Sequence, residues 1–307
     1  MHLPSLRQLQ YLAAVAEYGN FSRAAEACHV TQSTLSAGIG ALESLLNHML
    51  VDRSQNPVSL TPFGSEVVLR AHGMLAAART LMERAQHLSA PLTGPLRIGI
   101  IPTIAPYLLP FVLPDLQKKY PALELQLHED LSARLVESAR RGDIDLILMA
   151  FPFETPGMEQ VKLFEEPFFL ACPKGLWEKA PPVDLTDLRE ANNLILLEEG
   201  HCLRDHALAA CKLQPAQQRQ TFSATSLPTL IQMVQHGYGI TLLPAMAWLA
   251  GHLPDKIDVF PFLNPPPKRI IGMAWREGSP RAEEYRQLAK TIGETYLRKI
   301  QAKSGKI

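Results

Sequence analysis

The sequence predicts an α + α/β protein, in which a winged helix–turn–helix and a long linker helix precede a two-lobed α/β domain. Three observations lead to this fold class. Short helical patterns separated by tight turns fill the first part of the chain, one uninterrupted helical pattern follows, and apolar strands then alternate with helices. The expected boundaries are 1–61 for the winged helix–turn–helix, 62–89 for the linker helix, 90–95 for a hinge and 96–307 for the larger domain, with one lobe formed by 96–166 and 268–307 and the other by 167–267.

The bulk composition restricts the class of protein. An apolar content of 47% in 307 residues is enough to form real cores, and the formal net charge of zero gives no global sign of nucleic acid binding. Four cysteines are too few for a disulfide scaffold in so long a chain. The first residues show no signal-peptide pattern, and no apolar run is long enough to cross a membrane. We therefore expect a cytoplasmic protein with reduced thiols. A separate expectation is that the protein is not an enzyme and binds no metal or cofactor.

Three helices are expected at the N-terminus. The first has an apolar stripe at helical spacing, the second runs from Arg23 to Cys28 with Ser22 as its N-cap, and the third begins after the N-cap Thr31 and ends near Leu46. The stripe of the first helix is predicted to be Leu6, Leu9, Ala13 and Ala16, widened by Leu12 and Val15, and that of the third helix Leu35, Ile39 and Leu42.

The third helix is the candidate DNA-recognition helix. Its polar face carries Thr31, Gln32, Ser33 and Ser36, side chains that can bond to base edges or phosphates in the major groove. A short hairpin over 50–53 and 58–61 forms the wing, and Arg53 is its only cation. Residues 1–89 contain no lysine, and their six arginines are matched by six acids. Each module should therefore bind DNA weakly, so that several modules must act together.

The linker helix carries a heptad pattern. Its apolar positions alternate in steps of four and three residues, which favours pairing of this helix between two subunits. Burial against its own domain is the alternative. The seam consists of Val67, Ala71, Met74, Ala78, Leu81, Ala85 and Leu88.

The larger domain reads as an open, mostly parallel α/β sheet. The helix expected from Thr103 to Lys119 contains Pro106, Pro110 and Pro114 and should be broken or kinked. Crossovers between the lobes are expected near 165–167 and 265–268. Strands are predicted at 96–101, 123–128, 144–150, 167–172, 194–197, 239–243 and 270–275, and helices at 131–141, 203–211, 227–236 and 281–300.

Two cysteines nine residues apart are the chemical focus. His201, Arg204 and Asp205 surround Cys202, and a nearby cation lowers a thiol pKa and favours the reactive thiolate. Nine helical residues rise about 13 Å, whereas a disulfide needs Cα atoms within about 7 Å. A Cys202–Cys211 bond would thus require the helix to unwind. Two unrelated buried cysteines are the alternative.

The remaining thiols and one histidine near the motif are expected to have no redox role. Cys28 should pack as a small apolar residue within the helix–turn–helix. Cys172 ends a buried strand and should be inert. We expect His206 to be a surface residue of its helix.

These motifs resemble a known family. Gly200-His201-Cys202-Leu203-Arg204-Asp205 followed by Cys211 resembles the redox motif of the hydrogen-peroxide-sensing OxyR group of LysR-type transcription regulators. The segment Ile101-Pro102-Thr103-Ile104-Ala105-Pro106 is also similar to that group. Ala24-Ala25, Thr31-Gln32-Ser33 and Leu60-Thr61-Pro62-Phe63-Gly64 resemble the LysR-type winged helix–turn–helix. Ala37-Gly38-Ile39-Gly40-Ala41 departs from the family pattern, since members often carry Arg or Lys there.

The resemblance implies a fold, partners and site roles. The larger domain would be built like a periplasmic binding protein with its ligand between the lobes. Peroxide would oxidise Cys202, Cys211 would resolve the product as a disulfide, and oxidative-stress genes would respond. The peroxide pocket would contain Thr103, His201, Arg269, Ser132, Arg204 and Asp205. Partners would be promoter DNA, RNA polymerase and further copies of the chain, as a homodimer or tetramer.

Two other functions remain open at this stage. A LysR-type regulator that senses a small metabolite non-covalently would share every feature except the cysteine pair. A thiol peroxidase that also binds DNA would need a second redox module, which the sequence does not show. A transport-type solute-binding protein is disfavoured by the N-terminal module and by the expectation of no signal peptide.

Overall fold

The computed structural model describes residues 3–55, 57–86, 91–178, 181–190, 193–211, 224–251 and 253–304. The chain divides into two compact units. The first contains residues 1–89 with 138–143, and the second contains 90–137 with 144–307. Among the described residues, no helix has the length and apolar character needed to span a membrane.

The first unit is a winged helix–turn–helix. Its elements are α1 (Leu6–Tyr18), α2 (Phe21–Ala27), α3 (Gln32–Leu46), the antiparallel strands β1 (Val51–Asp52) and β2 (Ser59–Leu60), and α4 (Pro62–Gln86). Thr31 caps α3 as expected, accepting a hydrogen bond from the Thr34 amide at 3.2 Å. Leu35, Ile39 and Leu42 are fully buried, which confirms the predicted stripe of this helix.

Two details of the first unit differ from the prediction. Asn20, not Ser22, caps α2, because its side chain accepts from the amides of Ser22 and Arg23 at 2.9 and 3.1 Å. The buried stripe of α1 agrees with the prediction at Leu9, Leu12 and Val15, whereas Leu6, which was predicted to belong to it, is 49% exposed. Asn20 and Ser22 lie two residues apart, and local patterns favour both residue types as N-caps almost equally.

The α4 helix has two parts with different surroundings. Val68 and Ala71 are buried in the core of the first unit, and Val67 packs against it. Met74 and Leu81 are 52% and 70% exposed. The start of the predicted heptad seam is therefore used inside its own unit, and Met74 and Leu81 remain available to a partner. The side chains of Ala85 and Leu88 lie outside the described part of the structure.

The second unit contains one mixed sheet. The strands are β3 (Gly94–Ile100), β4 (Leu123–Glu129), β5 (Leu146–Phe151), β6 (Met158–Pro173), β7 (Thr241–Pro244), β8 (Ile257–Pro261) and β9 (Lys268–Arg276). Their order is β4-β3-β5-β9-β6-β7, and β8 also pairs with β6. The helices are α5 (Ala105–Lys119), α6 (Ser132–Arg141), α7 (Leu185–Glu190), α8 (Cys202–Cys211), α9 (Leu227–Gln235), α10 (Ala245–Leu249) and α11 (Ala282–Ser304).

The expectation of a mostly parallel sheet is wrong. Only β3 runs parallel to its neighbours β4 and β5, whereas the pairs formed by β6 and β9 are all antiparallel. The segment 165–167, where the chain is predicted to cross between the lobes, lies in the middle of β6, a single strand of 16 residues. The predicted strand at 194–197 forms only isolated bridges, from Leu194 to Ile240 and from Leu197 to Ala224.

The α5 helix continues through its prolines. Pro106 lies in the first turn, where its missing amide proton costs nothing. Pro110 and Pro114 each remove a helical hydrogen bond, yet the helix is unbroken from Ala105 to Lys119. One side of the helix is buried, including Leu108 and Val112, and this tertiary packing outweighs the local cost of the prolines. The predicted break is therefore wrong, and the alternative of a kink stays a prediction.

Candidate functional site

The site lies where the three parallel strands end. Thr103 follows β3, Ser132 begins α6 just after β4, and Ala150 lies at the end of β5. The carboxyl ends of parallel strands share one edge of the sheet, which is the common place for ligands in such folds. Thr103 is 2% exposed and Ser132 is 1% exposed, so polar side chains are enclosed at this edge.

A fully buried arginine connects this edge to the long strands. Arg269 of β9 donates through Nη1 to Thr103 Oγ1 at 2.9 Å and through Nη2 to the Thr103 carbonyl at 3.1 Å. Its Nε donates to Glu166 Oε2 at 2.7 Å. The other carboxylate oxygen, Glu166 Oε1, accepts from the Met246 amide at 2.7 Å. The guanidinium is held rigidly, with its charge paired to a carboxylate that is itself fully satisfied.

Cys202 lies at the same edge and is 4% exposed. It is the first residue of α8. Burial raises the pKa of its thiol above the ordinary value, while Arg269, the Ser132 hydroxyl and the Ala150 backbone each lower it. The exposed carboxylate of Asp205 acts in the same direction as burial. The expected lowering of the Cys202 pKa is therefore wrong, since the resting thiol is protonated and desolvation is the largest influence.

The predicted neighbours of Cys202 take different places. The Arg204 side chain is buried but turns away, donating through Nη1 to the Leu197 carbonyl at 3.3 Å. Side chains two positions apart on a helix lie on different faces, which explains why Arg204 does not face the same way as Cys202. Asp205 is exposed. His201 is buried, and burial lowers the pKa of its imidazole against the opposing effect of Glu198.

Three polar atoms near the site lack partners. Ser132 Oγ, Arg204 Nη2 and His206 Nδ1 are buried, and none has a hydrogen bond within the described part of the chain. The Ser132 hydroxyl nevertheless lies close enough to act on the Cys202 thiol. Unsatisfied buried groups are costly, so their concentration here is typical of a site that takes a small polar ligand or water.

Two residues of the site were not predicted. Glu166 is a charge inside an apolar strand, and that pattern alone would have identified it as a partner for a buried cation. His206 was expected on the surface but is 9% exposed, with Nε2 3.3 Å from the Pro152 carbonyl. Its spacing of four residues from Cys202 was the available signal, because residues i and i+4 share a helix face.

The structure describes the side chains of two of the other three cysteines. Cys211 is the last residue of α8, but its side chain lies outside the described part of the structure. Cys28 and Cys172 are free thiols. Burial raises the pKa of both, that of Cys172 to about 11, so neither is activated.

The candidate DNA-binding face is exposed on α3. Thr31, Gln32 and Ser33 are exposed at the start of the helix, and Ser36 is half-buried. Arg53 of the wing donates to Ser36 Oγ at 3.3 Å and lies 3.5 Å from the Glu43 carboxylate. The wing cation is therefore already held against the recognition helix, with its guanidinium 5.1 Å from the Phe21 ring centre.

Among the described residues, no group of three or more His, Cys, Asp or Glu side chains is arranged to hold a metal ion.

Family models match both units of the chain. Residues 6–65 match the bacterial regulatory helix–turn–helix protein, lysR family. Residues 89–296 match the LysR substrate binding domain.

Individual relatives cover nearly the whole chain. The HTH-type transcriptional regulator EstR of Acinetobacter baylyi is 42% identical over 92% of this chain and 94% of its own length. The DNA-binding transcriptional dual regulator OxyR of Escherichia coli K12 is 40% identical over 94% of each chain. Among solved structures, a cysteine-to-aspartate variant of full-length OxyR from Pseudomonas aeruginosa matches with a TM-score of 0.73 at 36% identity, covering 95% of this chain and 98% of that one.

Proposed function

We propose that this chain, which belongs to the LysR family of bacterial helix–turn–helix regulators, controls transcription in response to hydrogen peroxide through Cys202 and Cys211. The observation that carries the proposal is the buried thiol of Cys202 among Ser132, Arg269 and the end of β5. The OxyR name of a 40% identical relative supports the same reading.

In the proposed first step, hydrogen peroxide oxidises the Cys202 thiol. The Cys202 sulfur attacks one peroxide oxygen, the O–O bond breaks, and an S–O bond forms to give a sulfenic acid. The thiol proton goes to the departing hydroxide, which leaves as water. Positive charge at Arg269 and the Ser132 hydroxyl favour the negative charge that develops during this transfer. Thr103 belongs to the same site through its bonds to Arg269, so we assign it, with His201, to binding peroxide.

The second step joins the two ends of α8. The Cys211 sulfur attacks the Cys202 sulfenic acid, releasing water and forming a disulfide. Nine residues of helix separate the two cysteines by about 13 Å, whereas the bridge needs Cα atoms within about 7 Å. Closing the bond therefore requires α8 to unwind, which turns a chemical event at one thiol into a change of backbone structure.

We infer that the change in α8 alters DNA binding by the first unit. Thr31, Gln32, Ser33, Ser36 and Arg53 would contact promoter DNA in the cytoplasm. Residues 1–89 carry as many acids as arginines and no lysine, so several modules must act together on DNA. We infer a homodimer or tetramer that engages RNA polymerase. We also infer that the second unit works as two lobes, 96–166 with 268–307 and 167–267, and that a change at α8 alters their arrangement.

A metabolite-sensing regulator is the second candidate. The EstR relative, whose name specifies no peroxide response, is as similar to this chain as the OxyR relative. Buried polar groups at Thr103, Ser132 and Arg204 would then bind a small polar ligand without covalent chemistry. We do not favour a thiol peroxidase, because turnover would need a reductant site that the sequence does not show.

Thiol mapping tests the proposal directly. The reduced chain is treated with about one equivalent of peroxide and digested without reductant, and the peptides are identified by mass spectrometry. We expect a linked Cys202–Cys211 peptide that disappears with dithiol and is absent from Cys202→Ser and Cys211→Ser. Cys172→Ser is the matched control, since Cys172 is also buried but should not change the outcome.

The same variants distinguish the two candidate functions. If Cys202 stays reduced under excess peroxide, the redox proposal fails. A transcriptional response that survives Cys202→Ser would favour the metabolite-sensing regulator.

A further inference from the structure

His206 is a buried histidine to which no role has been given. It is 9% exposed, and it lies one helical turn after Cys202 on α8. Side chains four residues apart on a helix are neighbours on one face, with Cβ atoms about 5–6 Å apart. Both residues also contact the end of the same strand, since Cys202 interacts with the Ala150 backbone and His206 with the Pro152 carbonyl.

One contact determines which ring nitrogen of His206 carries the proton. Nε2 lies 3.3 Å from the Pro152 carbonyl oxygen, which can only accept. Nε2 is therefore the protonated nitrogen, and Nδ1 carries a free lone pair. Nδ1 is buried and has no hydrogen-bond partner among the residues that the structure describes. A bare acceptor inside the protein is costly unless something uses it.

The surroundings of His206 favour the neutral form of its imidazole, which is the form that can accept a proton. Burial is the main influence that lowers the pKa of its imidazole, and Arg269 acts in the same direction. The Pro152 carbonyl and Asp205 oppose them. The imidazole is therefore neutral at neutral pH, while the neighbouring Cys202 thiol is protonated.

Most hydrogen-bond acceptors already placed in the site are occupied. Arg269 has only N–H groups, and both Glu166 oxygens already accept hydrogen bonds from Arg269 and the Met246 amide. The Thr103 hydroxyl already accepts from Arg269. Oxidation of a protonated thiol requires the proton to leave sulfur while the S–O bond forms. Three buried atoms of the site have no hydrogen-bond partner in the described structure: Ser132 Oγ, Arg204 Nη2 and His206 Nδ1. Of these, only the imidazole nitrogen is basic enough to take the proton at neutral pH.

We propose that His206 takes the proton of the Cys202 thiol through Nδ1 as the sulfur attacks peroxide, and returns it to the departing hydroxide as water. This inference rests on the proposed function, because it assigns a proton path to the peroxide reaction at Cys202. The proton moves from sulfur to Nδ1 and then to oxygen, so the histidine is unchanged at the end of the step.

The test is the pH dependence of Cys202 oxidation in the full chain, followed by rapid mixing with hydrogen peroxide. In the wild type we expect the oxidation rate constant to rise with pH only below about pH 6.5, where His206 loses its proton. Above that pH the rate constant should stay level, because His206 is then neutral in every molecule and can accept the thiol proton. In His206→Gln the thiolate alone reacts, so the rate should rise about tenfold per pH unit across the neutral range. At pH 7 we expect a rate roughly 10²-fold lower than that of the wild type.

The choice of variants separates proton transfer from packing. A glutamine amide can still donate to the Pro152 carbonyl but cannot take a proton, whereas His206→Leu fills the space without donating. Both variants should show the same steep pH profile if Nδ1 is the acceptor. His201→Gln is the matched comparison and should keep the level region whatever its absolute rate, because His206 Nδ1 is still present to take the proton.

Several results would overturn the inference. A level region retained in His206→Gln, or one lost only in His201→Gln, would exclude His206 as the acceptor. A wild-type rate that rises steadily through the neutral range would do the same, and this measurement needs no variant to fold. If wild-type Cys202 does not react with peroxide at all, the proposed function itself has failed.

Discussion

Adjacent glutamates on β6 have opposite surroundings, and this difference predicts their contributions to stability. Glu166 is buried and accepts from Arg269 Nε and the Met246 amide, both at 2.7 Å. Glu165 is exposed and pairs with Lys162 and Lys268. We expect Glu166→Gln to lower the free energy of unfolding by about 3–5 kcal/mol, because it leaves the buried Arg269 charge uncompensated.

Glu165→Gln is the matched control for that substitution. Its exposed ion pairs are screened by solvent, so the loss of stability should be far smaller than that of Glu166→Gln. Urea unfolding of both variants at neutral pH measures the difference. Equal losses would show that the Arg269–Glu166 pair does not contribute through its burial.

The two buried histidines of the site predict how stability depends on pH. Burial lowers the pKa of both His201 and His206 below the ordinary value of 6.5. Below pH 6.5 the unfolded chain therefore binds protons that the folded chain resists, so stability must fall as the pH falls. We expect the double variant His201→Gln and His206→Gln to lose less stability than the wild type between about pH 6.5 and 5, measured by urea unfolding at each pH.

The site could be predicted from the sequence only where a motif was local. Cys202, Thr103 and Arg269 were identified by resemblance, and the structure places them around one buried position. The sign of the Cys202 pKa shift was missed, because burial depends on three strands that are distant in sequence. Glu166 and His206 were missed for the same reason, since their roles depend on which carbonyls and cations they meet in the fold.

At the scale of single elements, two glycines of α3 differ in the space around them. A Cβ on Gly38 would lie 2.6 Å from the buried Tyr11 ring, whereas a Cβ on Gly40 would meet nothing within 4 Å. We expect Gly38→Ala to destabilise the first unit by roughly 1–3 kcal/mol through overpacking. Gly40→Ala should stabilise it by about 1 kcal/mol through helix propensity. Thermal unfolding followed by circular dichroism compares them, and a destabilised Gly40→Ala would contradict the argument.

The elements that were predicted well have strong local signals. The α3 helix has a threonine cap and a clear apolar stripe, and both are confirmed. The β6 strand was predicted too short, because Pro167 and the glutamates at 165 and 166 interrupt its apolar pattern. Those residues belong in the strand since Lys268 and Arg269 of the paired strand β9 meet them. Local sequence patterns do not show which strand pairs with which, and this pairing decides where β6 begins.

At the scale of the whole molecule, α4 predicts how chains associate. Met74 and Leu81 are exposed in the single chain, whereas Ala71 is buried in the first unit. We expect Met74→Glu with Leu81→Glu to convert the proposed homodimer to a monomer without unfolding it, because the charges would lie in the seam. Analytical ultracentrifugation measures the mass, and circular dichroism checks the fold.

Ala71→Glu provides the comparison for that prediction. A charge in the core should unfold the first unit rather than only separate the chains. A double variant that remains dimeric would show that the chains pair through another surface.

The buried Arg269 network also has a consequence for how the protein is made. Thr103, Glu166 and Arg269 are bonded together, yet they are far apart in the order of synthesis. A ribosome releases Thr103 and Cys202 long before Arg269, so the growing chain has the thiol but not the cation that acts on it. The proposed peroxide site can be completed only after residue 269 has left the ribosome, and a chain that stops before this residue should have no functional sensor.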